Sequence, residues 1–234
     1  MFSSTLARRA LVLLLLVPAL SLLVAACGDD DSGSDGGSSS TTKVDSASSN
    51  VADEVAARND SYDAAPTEKL DPSKTYVVHL ETSKGDFDIT VDPKAAPIAA
   101  ANFVFLVKEG FYDGITFHRV IDGFMVQAGD PLGDGTGGPG YELKDDPVKG
   151  SYKRGTVAMA NAGPDTGGSQ FFIVQGTTVD ETLPKDYVIF GSVDEAGMKV
   201  VDTIAGVDVE PGPSGEPSKP VDPITIDKAT LQES

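Results

Sequence analysis

Arg119 and Gln127 are the residues whose types and positions are hardest to explain by packing alone. They lie in the stretch ITFHRVIDGFMVQAGD (115–130), which reads as two short strands joined at Asp122-Gly123. Most of their neighbours are apolar, and burying a charged or polar group without a partner is costly. Either both side chains line a hydrogen-bonding surface, or Arg119 is satisfied by local carbonyl groups at the margin of a sheet.

The alternation of side chains between the two faces of a strand places the neighbours of this pair. Arg119 shares a face with Phe117, and Met125 shares one with Gln127. Further along the chain, Gln170 shares a strand face with Phe172. A groove that combines apolar rings with a few hydrogen-bonding groups would use these residues together.

Other kinds of active site find little support in the sequence. The two histidines, His79 and His118, lie far apart and form no metal-binding spacing, so we predict no metal site. The loop GDGTGGPG (133–140) lacks the Lys-Ser/Thr of a phosphate-binding loop, and Ser169 has no G-x-S-x-G context. We predict no cofactor. The segment EPGPSGEPSKPVDP (210–223) reads as a Pro-rich connection rather than as a ligand motif.

The elements that would carry this groove are mostly short β-strands. Eight β-rich segments are separated by glycine-rich or polar turns. They are YVVHLET, FDITV, ITFHRVI, FMVQAG, TVAMA, QFFIVQ, YVIFGSV and PITIDKATL. APIAAANFVFLVKEG reads as a helix with Pro97 in its first turn and Gly110 at its C-terminal cap. AGMKVVDTIAGV reads as a second helix. Many strands and few helices favour a mainly β fold, in which a closed antiparallel barrel would leave no free sheet edge.

The N-terminal part of the chain has the composition of a targeting and linker region. Residues 1–26 contain Arg8 and Arg9 followed by a long apolar run, which is typical of a signal peptide. The run ends in small residues before Cys27, the only cysteine, and this arrangement resembles a bacterial lipobox. The resemblance implies cleavage before Cys27 and its diacylation. The alternative is a generic signal or anchor helix in which Cys27 is incidental.

Residues 27–72 are predicted to be a disordered Gly/Ser/Asp-rich tether, with a possible short helix in VADEVAARND (51–60). The folded domain is then predicted to span residues 73–234. The chain has 18 basic and 36 acidic residues, and cleavage after residue 26 would remove two arginines and no acids. Such a negative charge opposes binding to nucleic acid or to anionic lipid headgroups. Membrane attachment would therefore come from the lipid on Cys27.

Three longer motifs carry a family resemblance. They are FHRVIDGFMVQAGDP, GTVAMANAGPDTGGSQFFI and YVIFGSV. Their order and spacing resemble those of the cyclophilin family of peptidyl-prolyl cis–trans isomerases. The similarity covers about residues 75–230. It implies an eight-stranded antiparallel barrel that is capped by two helices, with the active groove on its outer surface.

The resemblance also implies roles for individual residues. Arg119 corresponds to the catalytic arginine of the family, and the remaining matched positions are expected to bind the peptide: Phe124, Met125, Gln127, Ala160, Asn161, Gln170, Phe172, Leu183 and Tyr187. Either glutamine could also orient the guanidinium. Tyr187 departs from the family pattern, because many relatives carry His there. Leu183 is matched through the loop GTTVDETLPKD, where the alignment rests on the shortest motif.

The sequence therefore predicts a prolyl isomerase that acts on Pro-containing segments of exported proteins without a covalent intermediate. We expect a monomer that is lipid-anchored at the extracytoplasmic face of the cell membrane. The competing hypothesis is a non-catalytic chaperone or scaffold that uses the same groove.

Overall fold

The computed structural model describes residues 44–234. The predicted signal segment (1–26) and Cys27 lie outside the described residues. The helices are α1 (Val44–Ala56), α2 (Pro97–Lys108), α3 (Val179–Thr182) and α4 (Glu195–Ala205). The strands are β1 (Tyr76–Thr82), β2 (Phe87–Val91), β3 (Arg119–Ile121), β4 (Met125–Ala128), β5 (Thr156–Met159), β6 (Phe171–Val174), β7 (Ile189–Ser192), β8 (Val209–Pro211), β9 (Pro217–Pro220) and β10 (Ile226–Glu233). None of the helices in this range is both long and apolar enough to cross a membrane.

Eight strands form one antiparallel sheet in the order β10-β1-β2-β7-β5-β6-β4-β3, so the predicted mainly β fold is confirmed. The predicted closed barrel is wrong, because the sheet is an open half-barrel whose end strands β3 and β10 share no ladder. The physical reason is that β3 has only three residues. Before β3, the chain approaches the start of β10 through a single bridge between Thr116 and Thr225. Backbone hydrogen bonds flank this bridge, such as Phe117 N to the Ile224 carbonyl at 2.9 Å.

The predicted number of two helices is also wrong, since the described residues contain four. The two additional helices are α1, which lies in the predicted tether and overlaps the possible short helix at 51–60, and the single turn α3. Both predicted helices are present, as α2 and α4. Proline lies at the start of α2 as expected, and Gly110 follows its end with φ of +67°. The side chain that caps α2 comes from a distant loop: the buried carboxylate of Asp146 accepts hydrogen bonds from Ile98 N (2.8 Å) and Ala99 N (2.9 Å).

The main core lies between α2 and the concave face of the sheet. Strand β2 alternates strictly between buried and exposed residues, as a strand with one covered face does. Phe103 of α2 is fully buried and packs against Phe171 of β6 and Phe190 of β7, with ring centroids 5.3 Å and 5.0 Å away. These aromatic contacts fix strands β6 and β7 in the middle of the sheet, and Phe172 of the predicted site lies on β6.

The residues after α1 pack against the sheet and its loops, which differs from the disordered tether that composition favours. We call residues 57–72 the N-terminal strap. Asp60 N and Tyr62 N donate to the carbonyls of Gly138 (3.0 Å) and Pro139 (2.9 Å). The Tyr62 ring meets the Phe105 ring edge-on at 5.4 Å. Composition averages over this segment, and a few well-placed contacts are enough to order it.

A second, two-stranded sheet is formed by β8 and β9, in the segment that reads as a plain connection. We call residues 209–220 the β8–β9 hairpin. Strand β9 lies against β3. The hairpin therefore covers the exposed end of the main sheet, at the strand that begins with Arg119.

Candidate functional site

The β3–β4 turn sets the positions of Arg119 and Gln127. The two residues lie directly opposite each other in the ladder, and Gln127 in turn lies opposite Phe172 of β6. Gly123 closes the turn with φ of +75°, a conformation that favours glycine. Its N–H donates to the side chain of Gln175 at 2.8 Å. The predicted pair of strands joined at Asp122-Gly123 is therefore confirmed by the β3–β4 ladder.

The position of Phe124 at the end of this turn is fixed by its backbone. The Phe124 carbonyl accepts hydrogen bonds from Gln175 N (2.9 Å) and Gly176 N (3.1 Å). Behind them, Gln175 Nε2 donates to the carboxylate of Asp202 on α4 at 2.9 Å. Arg154 makes a two-point ion pair with the same carboxylate, at 2.8 Å and 2.7 Å, and the hydrogen bonds from this arginine lower the pKa of Asp202.

A separate apolar cluster lies on the outer side of the sheet. Its buried members are Met125, Tyr152, Ala158, Phe172, Val174 and Val179. Four further site residues are half-buried against it, namely Phe124, Ala160, Leu183 and Tyr187. The Phe172 and Tyr187 rings meet edge-on at 5.4 Å. The structure thus brings together in one cluster all the apolar residues that the sequence assigns to the site, including Leu183 from the loop after α3.

Tyr152 is a member of this cluster that sequence reasoning missed. Its hydroxyl donates to the Tyr187 carbonyl at 3.0 Å and accepts from Tyr187 N at 2.9 Å. Burial raises the pKa of Tyr152. The hydroxyl therefore remains protonated at neutral pH and fixes the backbone of Tyr187. Nothing in the local sequence SYKRG distinguishes this tyrosine from an ordinary core residue.

Arg119 is half-exposed at the edge of the apolar cluster. Its Nε and Nη2 donate to the two carboxylate oxygens of Glu216, at 2.8 Å and 3.2 Å. Its Nη1 lies 3.7 Å from Met125 Sδ, and its Cζ lies 5.8 Å from the centroid of the Phe124 ring. The hydrogen bonds from Arg119 lower the pKa of Glu216, so this carboxylate is ionised at neutral pH.

The two glutamines are connected to each other rather than to the guanidinium. Gln127 Nε2 donates to Gln170 Oε1 at 3.0 Å. Gln170 Nε2 donates to the carbonyls of Gly135 (3.0 Å) and Gly137 (2.9 Å) in the glycine-rich loop 133–140. The expectation that one of them orients Arg119 is wrong for the part of the chain that the structure describes, where the carboxylate of Glu216 occupies that position.

A cleft of about 450 Å³ adjoins these glutamines. The glycine-rich loop forms one side of it, Ala160 and Asn161 form the other, and Asp60 of the N-terminal strap lines its rim. Ala160 N donates to the Gln170 carbonyl at 3.0 Å, while Asn161 Nδ2 donates to the Asp186 carbonyl at 2.8 Å. A second cleft of about 420 Å³ lies between Asn161 and Tyr187. The predicted site residues within the described range therefore line these two clefts, belong to the apolar cluster or, as Arg119 does, border that cluster; we call this region the candidate groove.

His118 lies beside Arg119 in sequence but is buried. Neither ring nitrogen has a hydrogen-bond partner among the described residues. Burial lowers the pKa of His118, and the negative charge of Asp130 partly opposes that shift. The described residues also contain no group of three or more His, Cys, Asp or Glu side chains that could hold a metal ion. The polar chemistry of the candidate groove comes from its guanidinium, carboxamide and backbone groups.

Comparison with known proteins identifies this arrangement. Residues 77–231 match the family model described as cyclophilin type peptidyl-prolyl cis-trans isomerase/CLD. A peptidyl-prolyl cis-trans isomerase of Helicobacter pylori is 43% identical over 157 residues, which cover 60% of this chain and 93% of the relative. Peptidyl-prolyl cis-trans isomerase B of Streptomyces anulatus is 41% identical over 171 residues, which cover 65% of this chain and 94% of the relative.

Solved structures agree with the sequence comparison. A cyclophilin type peptidyl-prolyl cis-trans isomerase of Cryptosporidium parvum superposes with a TM-score of 0.60 at 31% identity, covering 68% of this chain and 98% of that chain. A second structure of that protein, in the presence of the dipeptide Ala-Pro, gives the same TM-score at 32% identity. With its fold, its motifs and its relatives in agreement, this chain belongs to the cyclophilin family and is a peptidyl-prolyl cis–trans isomerase.

Proposed function

We propose that the isomerase reaction takes place in the candidate groove, with Arg119 as the catalytic residue and with no covalent intermediate. The observation that carries this proposal is the position of the Arg119 guanidinium, whose Nη1 lies 3.7 Å from Met125 Sδ at the edge of the apolar cluster. A proline ring of a Pro-containing polypeptide would pack on Phe124, Met125, Phe172 and Leu183. The guanidinium would then lie close to the proline nitrogen.

The chemistry needs a donor rather than a nucleophile. Rotation about an X-Pro bond breaks amide resonance, and the uncatalysed barrier of roughly 18–20 kcal/mol makes it slow. In the twisted transition state the proline nitrogen regains its lone pair. A hydrogen bond from Arg119 to that nitrogen is strong only in this state, which is the condition for catalysis. Arginine stays charged and presents planar donors, so it requires no proton transfer.

The polar groups along the groove would hold the peptide on either side of the proline. Gln127 and Gln170 are pre-positioned by their mutual hydrogen bond and by the glycine-rich loop. Ala160 and Asn161 line the opposite side of the same cleft. When the groove holds the peptide on one side of the X-Pro bond, the other side can rotate in the orientation that the reaction needs, and this lowers the barrier. Tyr187, which takes the position of a family histidine, contributes ring area against Phe172.

Replacing Arg119 tests this mechanism. For Arg119→Ala we expect a loss of about 100-fold in kcat/KM, which corresponds to about 2.7 kcal/mol of transition-state stabilisation. The fold should persist, because the side chain is half-exposed and its ion pair lies at the surface. A protease-coupled assay with an X-Pro peptide measures the rate, and thermal melting checks the fold. A variant with parental kcat/KM would remove Arg119 from the mechanism. A variant that loses its melting transition would mean that Arg119 is structural.

We propose further that the protein acts on exported polypeptides while anchored to the membrane by a lipid on Cys27. The support is the sequence of residues 1–27, in which an apolar run ends in small residues before the only cysteine. Two acyl chains anchor a protein stably, whereas one does so only marginally. Mass spectrometry of the mature N-terminus and membrane fractionation of the parent and Cys27→Ser test the proposal. An unmodified Cys27, or cleavage at another position, would contradict it.

A further inference from the structure

The β8–β9 hairpin presents an acidic side chain to the arginine of the groove. We infer that Glu216 is a positioning residue for Arg119, which holds the guanidinium in the orientation that faces the apolar cluster. Glu216 lies 97 residues from Arg119 in the chain, yet its two carboxylate oxygens accept hydrogen bonds from Nε (2.8 Å) and Nη2 (3.2 Å). This inference rests on the catalytic role proposed for Arg119.

One edge of the guanidinium binds Glu216, and the other edge faces the apolar cluster. Nε and Nη2 point to the carboxylate, which matches the planar fork of arginine. Nη1 points the other way, to Met125 Sδ at 3.7 Å, and the guanidinium carbon stays 5.8 Å from the Phe124 ring centroid. The ion pair therefore leaves the Nη1 edge beside the surface on which a proline would pack. It does not withdraw the arginine from the groove.

The backbone around Glu216 is held firmly enough to act as a support. The Glu216 carbonyl accepts from Gly212 N at 2.8 Å, and Gly215 N donates to the Gly212 carbonyl at 2.9 Å. Gly215 takes φ of +81°, so the residue before Glu216 adopts a turn conformation that glycine favours. Pro217 follows and restricts φ at the start of β9. Ser218 is buried where β9 lies against β3.

An ion pair that fixes a side chain before substrate binds favours catalysis more for a flexible side chain, such as that of Arg119, than for a rigid one. An arginine side chain gives up much of its rotamer freedom when it is fixed in one orientation. If the ion pair fixes it before substrate binds, that cost does not have to be met in the transition state. Loss of Glu216 should therefore reduce the turnover number more than it weakens substrate binding.

The same hairpin supplies a matched control. Glu210 on β8 pairs with Lys219 on β9 at 2.9 Å, and both side chains are about half-exposed. Glu210→Ala removes one carboxylate and one ion pair from this hairpin without touching Arg119. Any effect of net charge or of a loosened hairpin should appear in this variant too. An effect that requires contact with the guanidinium should appear only at Glu216.

The experiment measures kcat and KM of the full chain with an X-Pro peptide for five variants. These are Glu216→Ala, Glu216→Gln, Glu210→Ala, Arg119→Ala and the double variant Arg119→Ala with Glu216→Ala. For Glu216→Ala we expect a roughly tenfold loss in kcat, with KM changed by less than about twofold. Glu216→Gln keeps a neutral acceptor and should recover part of the loss. Glu210→Ala should match the parent, and Glu216→Ala should cause no further loss once Arg119 is absent.

The outcomes separate this inference from the mechanism on which it rests. If Arg119→Ala keeps full activity, the proposed mechanism fails and the inference fails with it. If Arg119→Ala is slow while Glu216→Ala keeps or raises kcat, only the inference fails, since the carboxylate is then idle or holds the arginine back. An equal loss in Glu210→Ala, or an undiminished effect of Glu216→Ala in the Arg119→Ala background, would assign the effect to the hairpin. Thermal melting of each variant excludes loss of the fold as the cause.

Discussion

The two sides of the candidate groove are supported in different ways. On one side, Arg119 is held by the carboxylate of Glu216, a contact between two half-exposed side chains. On the other side, Gln127 is held by Gln170, which donates to backbone carbonyls of the glycine-rich loop. That loop is in turn hydrogen-bonded to the backbone of the N-terminal strap at Asp60 and Tyr62.

Because one side rests on a side-chain ion pair and the other on hydrogen bonds to the loop backbone, the two sides should tolerate different substitutions. An ion pair between side chains depends on a few atoms and is weakened by salt or by loss of either charge. A network of backbone hydrogen bonds spreads its support over several residues and depends on the packing of the whole loop. We therefore expect the arginine side to respond to point changes in charge. The glutamine side should respond to changes in the strap.

The largest effect that would sharpen this comparison is expected at Tyr62. Its ring packs against Phe105 at 5.4 Å and near Tyr141 at 6.4 Å, so it joins the strap to α2 and to the loop that follows the glycine-rich segment. Tyr62→Ala should lower the free energy of unfolding by about 2 kcal/mol, because a half-buried ring is lost. Denaturant unfolding measures it.

The same variant should raise KM while kcat changes little, since the glutamine side loosens and Arg119 keeps its partner. Tyr62→Phe keeps the ring and is the matched control, for which we expect parental stability. If Tyr62→Ala were as stable as the parent, the strap would not support the groove. A fall in kcat alone would mean that the two sides are not independent.

A smaller effect is expected at Gln170, where the hydrogen-bond chain passes from Gln127 to the loop. Gln170→Ala leaves the Gly135 and Gly137 carbonyls and the Gln127 amide without this partner. We expect a loss of about tenfold in kcat/KM, mainly through KM, which corresponds to about 1.4 kcal/mol. Steady-state kinetics with an X-Pro peptide measure the change.

Gln170→Glu tests separately the two contacts of Gln170, the hydrogen bond that it accepts from Gln127 and those that it donates to the loop carbonyls. It keeps an acceptor for Gln127 but replaces the donor to the loop carbonyls with an oxygen. If the loop contacts matter, Gln170→Glu should be at least as impaired as Gln170→Ala. Parental KM in Gln170→Glu would show that only the contact with Gln127 is needed.

The smallest effect concerns pH and the strand that carries Arg119. Burial lowers the pKa of His118 below its ordinary value of 6.5. The unfolded chain binds a proton near pH 6.5, while the folded chain binds it only at lower pH. Stability should therefore be fully present above pH 6.5 and should fall as the pH drops from 6.5 towards the lowered pKa. Unfolding curves of the parent and His118→Phe at pH 7.5 and about 5.5 test this linkage.

In His118→Phe the stability difference between the two pH values should shrink, because the replacement cannot bind a proton. An unchanged difference would mean that other groups cause the pH dependence. Because His118 directly precedes Arg119, kcat measured at the same two pH values would show whether its protonation disturbs the arginine side. KM reports on the glutamine side of the candidate groove, and it should not change as His118 becomes protonated.

The sequence by itself determined the local parts of this molecule. Alternation along the strands showed which side chains share a face, and Asp122-Gly123 marked the turn that brings Gln127 across from Arg119. The family motifs selected six residues of the apolar cluster, including Leu183, but not its buried member Tyr152. These features depend on side-chain period and turn geometry, both of which act over a few residues and can therefore be recognised in a linear sequence.

Only the tertiary structure decided which distant groups support that surface. Asp146 caps α2 from 47 and 48 residues away, Tyr152 fixes the backbone of Tyr187, and Glu216 reaches Arg119 across 97 residues. Sheet closure was likewise not decided by strand count, because the short β3 leaves the half-barrel open at β10. Such contacts have no sequence period: each is formed when packing brings two unrelated loops or elements together, and its partners are polar residues that look ordinary in the linear chain.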